Sequence, residues 1–61
     1  MANLSAKELT SIEDQLSMEQ LLVKKYNTYA ATTSDTQLKT KCKEIASQHQ
    51  QHYQTLLGHL N

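Results

Sequence analysis

The segment that decides the fold is Thr32-Thr33-Ser34-Asp35, a short polar connection between two long stretches of helical periodicity. A connection this short makes two helices antiparallel neighbours. The sequence therefore predicts an all-α fold, a two-helix hairpin that forms one domain over residues 1–61. We expect helix 1 at about residues 6–31, the turn at about 32–35 and helix 2 at about 35–60.

Each predicted helix begins with a capping signal. Ser5 is followed three residues later by Glu8, which is the spacing of a capping box, in which each side chain satisfies a backbone N–H group at the helix start. Ser34 and Gln37 offer the same arrangement at the start of helix 2. Gly58 marks a point where the end of helix 2 is expected to fray.

Size and charge restrict the class of protein. A domain of 61 residues buries only ~60% of its unfolded surface, so we expect the chain to need a partner. Six Lys and Arg residues balance six Asp and Glu residues, and no basic stripe is interleaved with aromatic residues. This pattern argues against nucleic acid as a partner.

Membrane and secretory signals are missing from the sequence. Met1–Ser11 is polar and lacks the ~7–15-residue apolar run of a signal peptide. No stretch approaches the ~18 apolar residues that a transmembrane helix needs. The single cysteine, Cys42, cannot form an internal disulfide and is expected to be a small, inert core residue. We therefore expect a soluble protein that is synthesised in the cytoplasm and has no membrane partner.

Alternating steps of three and four residues define one seam on each helix, where apolar residues face the neighbouring helix. The seam of helix 1 contains Leu9, Ile12, Leu16, Glu19, Val23, Tyr26 and Ala30, widened by Leu22 and Tyr29. The seam of helix 2 contains Leu38, Cys42, Ile45, His49, His52 and Leu56, with Ala46, Tyr53, Leu57 and Leu60 beside it. Titratable groups at buried positions need partners to offset their desolvation, so Glu19, His49 and His52 mark the candidate site.

The length of the turn predicts which of these side chains meet. Glu19 lies 12 positions before Ala31, and Ser47 lies 12 positions after Asp35. His49 is then offset from Glu19 by ~3 Å along the helix axis and His52 by ~7.5 Å. Glu19 is expected to reach His49 easily, and to reach His52 if the turn boundaries shift in its favour.

Two interpretations of the three residues remain open. They can form a hydrogen-bonded polar layer that fixes the register of the helices, as a buried Asn does in a coiled coil. Alternatively, Glu19, His49 and His52 can hold iron, manganese or zinc, which accept oxygen and nitrogen ligands. The apolar seams are wide enough for a further neighbour, so a C₂ dimer that forms a four-helix bundle is predicted. No nucleophile and base are arranged for hydrolysis, and no catalytic residue is predicted.

Four segments carry a resemblance to a known family. They are Glu13-Asp14-Gln15-Leu16, Tyr26-Asn27-Thr28-Tyr29-Ala30, Leu38-Lys39 and Gln48-His49-Gln50-Gln51-His52. Over nearly its whole length the chain resembles the spore coat protein F family of endospore-forming bacteria, which are small ferritin-like helical proteins. The resemblance implies a structural protein of the spore coat that forms homodimers or higher oligomers and contacts other coat proteins.

The ferritin-like pattern also has implications for metal binding. Its half-bundle carries a glutamate and a tyrosine on the first helix and a Glu-x-x-His motif on the second. Glu19, Tyr26 and His52 match this pattern, and His49 stands where the motif glutamate is expected. Because the bridging carboxylate is replaced, a ferritin-like oxidase is the least favoured function, and we predict a non-enzymatic protein. The structural module is the first interpretation, and a transition-metal-binding module is the alternative.

Overall fold

The computed structural model describes residues 4–60, and this part of the chain contains two α-helices and no strand. Helix α1 spans Ala6–Thr32 and helix α2 spans Thr36–Gly58. The two helices pack side by side in an elongated hairpin of 46 × 15 × 10 Å. The predicted helical hairpin is confirmed, with α1 one residue longer than expected and α2 ending two residues earlier.

The start of α1 is fixed by the predicted capping box. The backbone N–H of Glu8 donates to Ser5 Oγ at 3.1 Å, and the backbone N–H of Ser5 donates to Glu8 Oε1 at 3.1 Å. Two N–H groups that have no partner inside the helix are thereby satisfied. The local sequence alone was sufficient to locate this end.

The start of α2 differs from the prediction. Asp35, not Ser34, is the N-cap: its Oδ1 accepts hydrogen bonds from the backbone N–H groups of Gln37 and Leu38, both at 3.0 Å. The backbone N–H of Asp35 donates to Thr33 Oγ1 at 3.2 Å, which closes the turn. A carboxylate at a helix N-terminus satisfies free N–H groups and interacts favourably with the helix dipole. The predicted Ser34 cap is therefore wrong by one residue.

The buried core is small. Its apolar members are Leu16, Ala30, Cys42 and Ala46, and Glu19 is buried with them. Cys42 is thus the core residue that the sequence predicted. Two packed helices bury only the side chains along their line of contact. Residues at the edges of the seams therefore remain accessible to solvent.

Several of those edge residues are exposed although the seams include them. Leu9, Tyr29 and Leu38 are exposed, as are Met18 and Leu21 outside the predicted seams. The hydrophobic pattern was therefore wider than one hairpin can bury. Over residues 4–60, neither helix carries an apolar stretch of the length that a lipid bilayer requires.

Candidate functional site

The candidate site lies midway along the hairpin, where one carboxylate of α1 meets two imidazoles of α2. Glu19 Oε1 lies 2.6 Å from His49 Nδ1 and 3.6 Å from His52 Nδ1. Both histidines approach the same carboxylate oxygen because they are three residues apart, about one turn, on one face of α2. All three side chains predicted for the site are therefore brought together.

The observed helix ends explain why His52 joins the cluster. Glu19 lies 13 positions before Thr32, the last residue of α1, and His49 lies 13 positions after Thr36, the first residue of α2. Glu19 and His49 are thus level, and His52 is only ~4.5 Å farther along the axis. The last residue of α1 and the first residue of α2 each lie one position later than predicted. Both histidines therefore lie closer to Glu19 along the helix axis than the sequence predicted.

The three side chains become progressively more exposed from Glu19 to His49 to His52. The Glu19 side chain is 7% exposed, His49 is 23% exposed and His52 is 59% exposed. The cluster therefore extends from the interior of the hairpin to its surface, and His52 occupies the end that solvent reaches.

Both oxygens of the Glu19 carboxylate have partners. His49 occupies Oε1, and Gln15 Nε2 donates to Oε2 at 3.0 Å. The hydrogen bond from His49, followed by the one from Gln15, lowers the pKa of Glu19 below its ordinary value of 4.5, against the opposing effect of desolvation. Glu19 is consequently a carboxylate at neutral pH. Since a carboxylate has no hydrogen to donate, the 2.6 Å contact assigns a proton to His49 Nδ1.

Aromatic neighbours hold the His49 ring in place. The Tyr26 ring lies nearly parallel to it, with centroids 6.1 Å apart and an interplanar angle of 14°. The His52 ring stands edge-on at 5.5 Å and 86°. On the far side, Tyr26 packs edge to face against Tyr29, and the Lys25 ammonium lies within 6 Å of both tyrosine rings. Together with the hydrogen bond to Glu19, these neighbouring rings favour the observed orientation of the His49 imidazole.

One member of this network, Gln15, was not predicted from the sequence. Gln15 appeared only as part of a resemblance motif, yet its amide is the second hydrogen-bond donor to Glu19. The signal was present, because residues four apart on a helix are neighbours on its surface. His59, by contrast, is exposed and lies outside the cluster.

The donor atoms of Glu19, His49 and His52 all lie within 4.8 Å of one another. At metal–ligand bonds of 2.0–2.2 Å, two donors on one ion lie roughly 2.8–3.6 Å apart. The distance from Glu19 to His52 is already within that interval, and the shorter distance to His49 is that of a hydrogen bond. Because donor atoms within 4.8 Å of one another can exceed this interval by up to about 1.2 Å, the three residues fit a transition-metal ion after side-chain movements of up to roughly 1 Å.

Two grooves flank the contact between the helices, and their linings differ. The groove beside the turn has a volume of about 430 Å³ and is lined mainly by apolar or aromatic side chains, including Tyr26, Tyr29, Leu38 and Ile45. The groove on the opposite side has a mixed lining: Val23, Asn27, Lys43, Ala46, Ser47 and Gln50. The hairpin thus has one apolar face, which we define by the side chains of the first groove, and one more polar face.

The chain matches no known protein family, no curated protein and no solved structure. The cluster around Glu19 and the apolar face are the two features from which its function can be inferred.

Proposed function

We propose that this hairpin is a structural assembly protein of the spore coat type, and that its functional unit is a homodimeric four-helix bundle. The observation that carries the proposal is the imbalance between buried and exposed apolar side chains. Four apolar residues form the core, whereas five large ones are exposed, and two of these, Tyr29 and Leu38, line the apolar face. A core of this size offers little hydrophobic free energy against the conformational entropy that folding removes.

The accessible surface area of the chain supports the proposal that the hairpin binds a partner of similar size. The chain has an accessible surface of 4690 Å² at 6.9 kDa. A compact protein of this mass is expected to expose about 4,000 Å². The excess of roughly 700 Å² is close to the ~800 Å² that each partner contributes to a standard interface.

The difference between the two faces favours a closed dimer. Tyr29 and Leu38 are exposed on the apolar face, whereas Lys43 and Gln50 line the opposite groove. A second hairpin that packs its own apolar face against the first buries both faces around a two-fold axis. Four antiparallel helices around one apolar core are a common stable solution for amphipathic helices.

The Glu19–His49 pair has a structural role in this bundle. Buried polar groups must be paired, so they disfavour alternative registers in which their partners are displaced. The pair therefore fixes how α1 and α2 align. The hairpin then presents one defined face to its partner.

The resemblance to the spore coat protein F family supports the biological setting of the proposal. An assembly protein needs specific contact surfaces more than it needs a catalytic centre, and a small hairpin with one apolar face meets that need. In this proposal the dimer is incorporated into the spore coat and contacts other coat proteins there. A fluorescent fusion followed through sporulation of an endospore-forming bacterium tests the location, and a signal that stays in the mother-cell cytoplasm contradicts it.

The dimer is tested by light scattering on the untagged protein and on two charge variants. Leu38→Lys places a charge on the apolar face and is expected to give monomers. Leu21→Lys is the matched control, because Leu21 lies about 200° around α1 from the buried Glu19 and is 61% exposed. A wild-type protein that stays monomeric at 100 μM, or a Leu38→Lys variant that remains dimeric, overturns the proposal.

A further inference from the structure

We propose that Glu19, His49 and His52 form a complete site for one divalent first-row transition-metal ion within each hairpin. This site does not rest on the dimer, since all three donors belong to one chain and lie within 4.8 Å of one another. Residues 4–60 contain no second group of three potential ligands.

The charge of the cluster is the first reason. Glu19 is a buried carboxylate, and within the described part of the chain its ion-pair partners are the two histidines. Within residues 4–60 no Lys or Arg forms an ion pair with Glu19, so no permanent positive charge lies next to this carboxylate. A buried anion therefore gains from a cation at this position, and a divalent ion placed among the three side chains supplies it.

The chemistry of the donors is the second reason. Two imidazole nitrogens and one carboxylate oxygen are a combination that binds zinc and other first-row transition metals with coordination positions left open. His52 is 59% exposed, so an ion and its water ligands can enter from that side without disrupting the core. Glu19 and His49, which are more buried, fix the inner side of the site.

The composition of the cluster also sets the stoichiometry. Paired metal ions in a helical bundle are held by bridging carboxylates from several helices. Each hairpin contributes one carboxylate and two imidazoles, and within residues 4–60 no second acid joins this group. The site therefore suits a single ion in each chain and not a pair shared across a bundle.

The surrounding residues are arranged to position the ligands. Gln15 donates to the Glu19 oxygen that His49 leaves free, and Tyr26 lies against the His49 ring. Such contacts orient metal ligands and support affinity. Coordination through His49 Nδ1 requires that nitrogen to carry no proton, so the ring would hold its proton on Nε2.

The test is titration of the untagged, chelator-treated protein with Zn²⁺ and with Co²⁺ at pH 7.5, followed by calorimetry and native mass spectrometry. We expect one ion for each chain, and visible d–d absorption bands in the Co²⁺ complex. Glu19→Gln and His52→Gln are expected to weaken binding at least about tenfold, in line with the loss of a ligand. His59→Gln, which changes an exposed histidine outside the cluster, is the matched control and is expected to bind as the wild type does.

His52→Gln keeps the test decisive if Glu19→Gln fails to fold, because His52 is largely exposed. Absence of Zn²⁺ and Co²⁺ uptake overturns the proposal, and so does unchanged binding by the His52→Gln variant. The Leu38→Lys variant separates this proposal from the dimer. One ion bound to each monomer supports the self-contained site even if the dimer proposal fails, whereas loss of binding only on dissociation shows a shared site and overturns it.

Discussion

Glu19 Oε1 and His49 Nδ1 lie 2.6 Å apart at the same level of the hairpin, each 13 positions from the helix end that borders the turn. A slip of one residue along either helix moves a side chain by ~1.5 Å along the axis and by about 100° around it. The hydrogen bond does not survive such a slip. The pair therefore fixes the axial alignment of α1 relative to α2. Any misalignment leaves the buried Glu19 carboxylate without its hydrogen bond from His49.

The pair can be tested by removing one member and then both. In the presence of a chelator, His49→Leu leaves the Glu19 carboxylate buried without its main donor, and we expect the melting temperature to fall by more than about 5 °C. Replacing both Glu19 and His49 by Leu removes the unpaired charge and is expected to restore or raise the melting temperature. Circular dichroism melts measure both, with His59→Leu as the control. A His49→Leu protein that melts with the wild type contradicts the pairing.

The stability of the hairpin should fall in acid because of Glu19. Its pKa is lowered in the folded chain relative to 4.5, chiefly by the hydrogen bond from His49. A carboxyl group with a depressed pKa stabilises the fold above its unfolded pKa, and this contribution disappears as the pH falls through the folded pKa. We expect melting temperatures measured from pH 6 to pH 3 to decline less steeply in Glu19→Gln than in the wild type.

Glu8 contributes to the same pH window, since hydrogen bonds with Ser5 lower its pKa as well. Glu8→Gln therefore separates the capping box from the central cluster, and Glu13→Gln controls for the loss of an exposed charge. If Glu19→Gln and Glu13→Gln have the same acid dependence, the cluster does not stabilise the folded state through its charge.

The N-cap of α2 offers a sharp local comparison. Asp35→Ala removes the acceptor of two backbone N–H groups and should lower the free energy of unfolding by about 1 kcal/mol. Ser34→Ala, one position earlier, should change it by less than about 0.5 kcal/mol. Urea unfolding measures both variants. Equal losses would mean that the two side chains share the capping role.

The end of α2 can be stabilised at Gly58. An added Cβ at this position meets no atom within 4 Å, and the residue does not have a positive φ angle. Gly58→Ala should therefore raise the free energy of unfolding by up to about 1 kcal/mol, because alanine favours the helix and restricts the unfolded chain. Urea unfolding again provides the measurement. A loss of stability would indicate that a second molecule occupies this space.

Dimerisation should couple stability to concentration. A partner that binds only the folded chain raises the melting temperature as protein concentration rises. We expect such a rise for the wild type between 5 and 500 μM, and melting temperatures independent of concentration for Leu38→Lys. Leu21→Lys should follow the wild type. A wild-type melting temperature that is constant across this range is incompatible with a folded dimer.

The sequence predicted those features that depend on neighbouring residues. The Ser5–Glu8 capping box and the two helices follow from spacings of three and four, which local backbone geometry translates directly into structure. The N-cap of α2 was placed one residue early because Ser34 and Asp35 both have capping side chains, and only the path of the turn selects between them. Together with the one-residue extension of α1, this difference also set how closely His52 approaches Glu19.

Features that depend on a neighbour outside the hairpin were harder to predict. Tyr29 and Leu38 follow the apolar period of their helices as regularly as Leu16 does, yet they are exposed while Leu16 is buried. Periodicity shows that a residue belongs on an apolar face. It does not show whether the covering surface comes from the same chain or from another one.

Residues of α1 and α2 that contact each other lie at about equal distances along the chain from the turn at residues 33–35. This arrangement affects how the chain folds. Helix growth outward from the turn brings successive pairs of positions together without any long loop having to close, and the Glu19–His49 contact forms midway in that progression. Such local topologies fold in microseconds to milliseconds. In the proposed dimer the encounter of two hairpins is then the slow event, so the refolding rate should depend on the protein concentration.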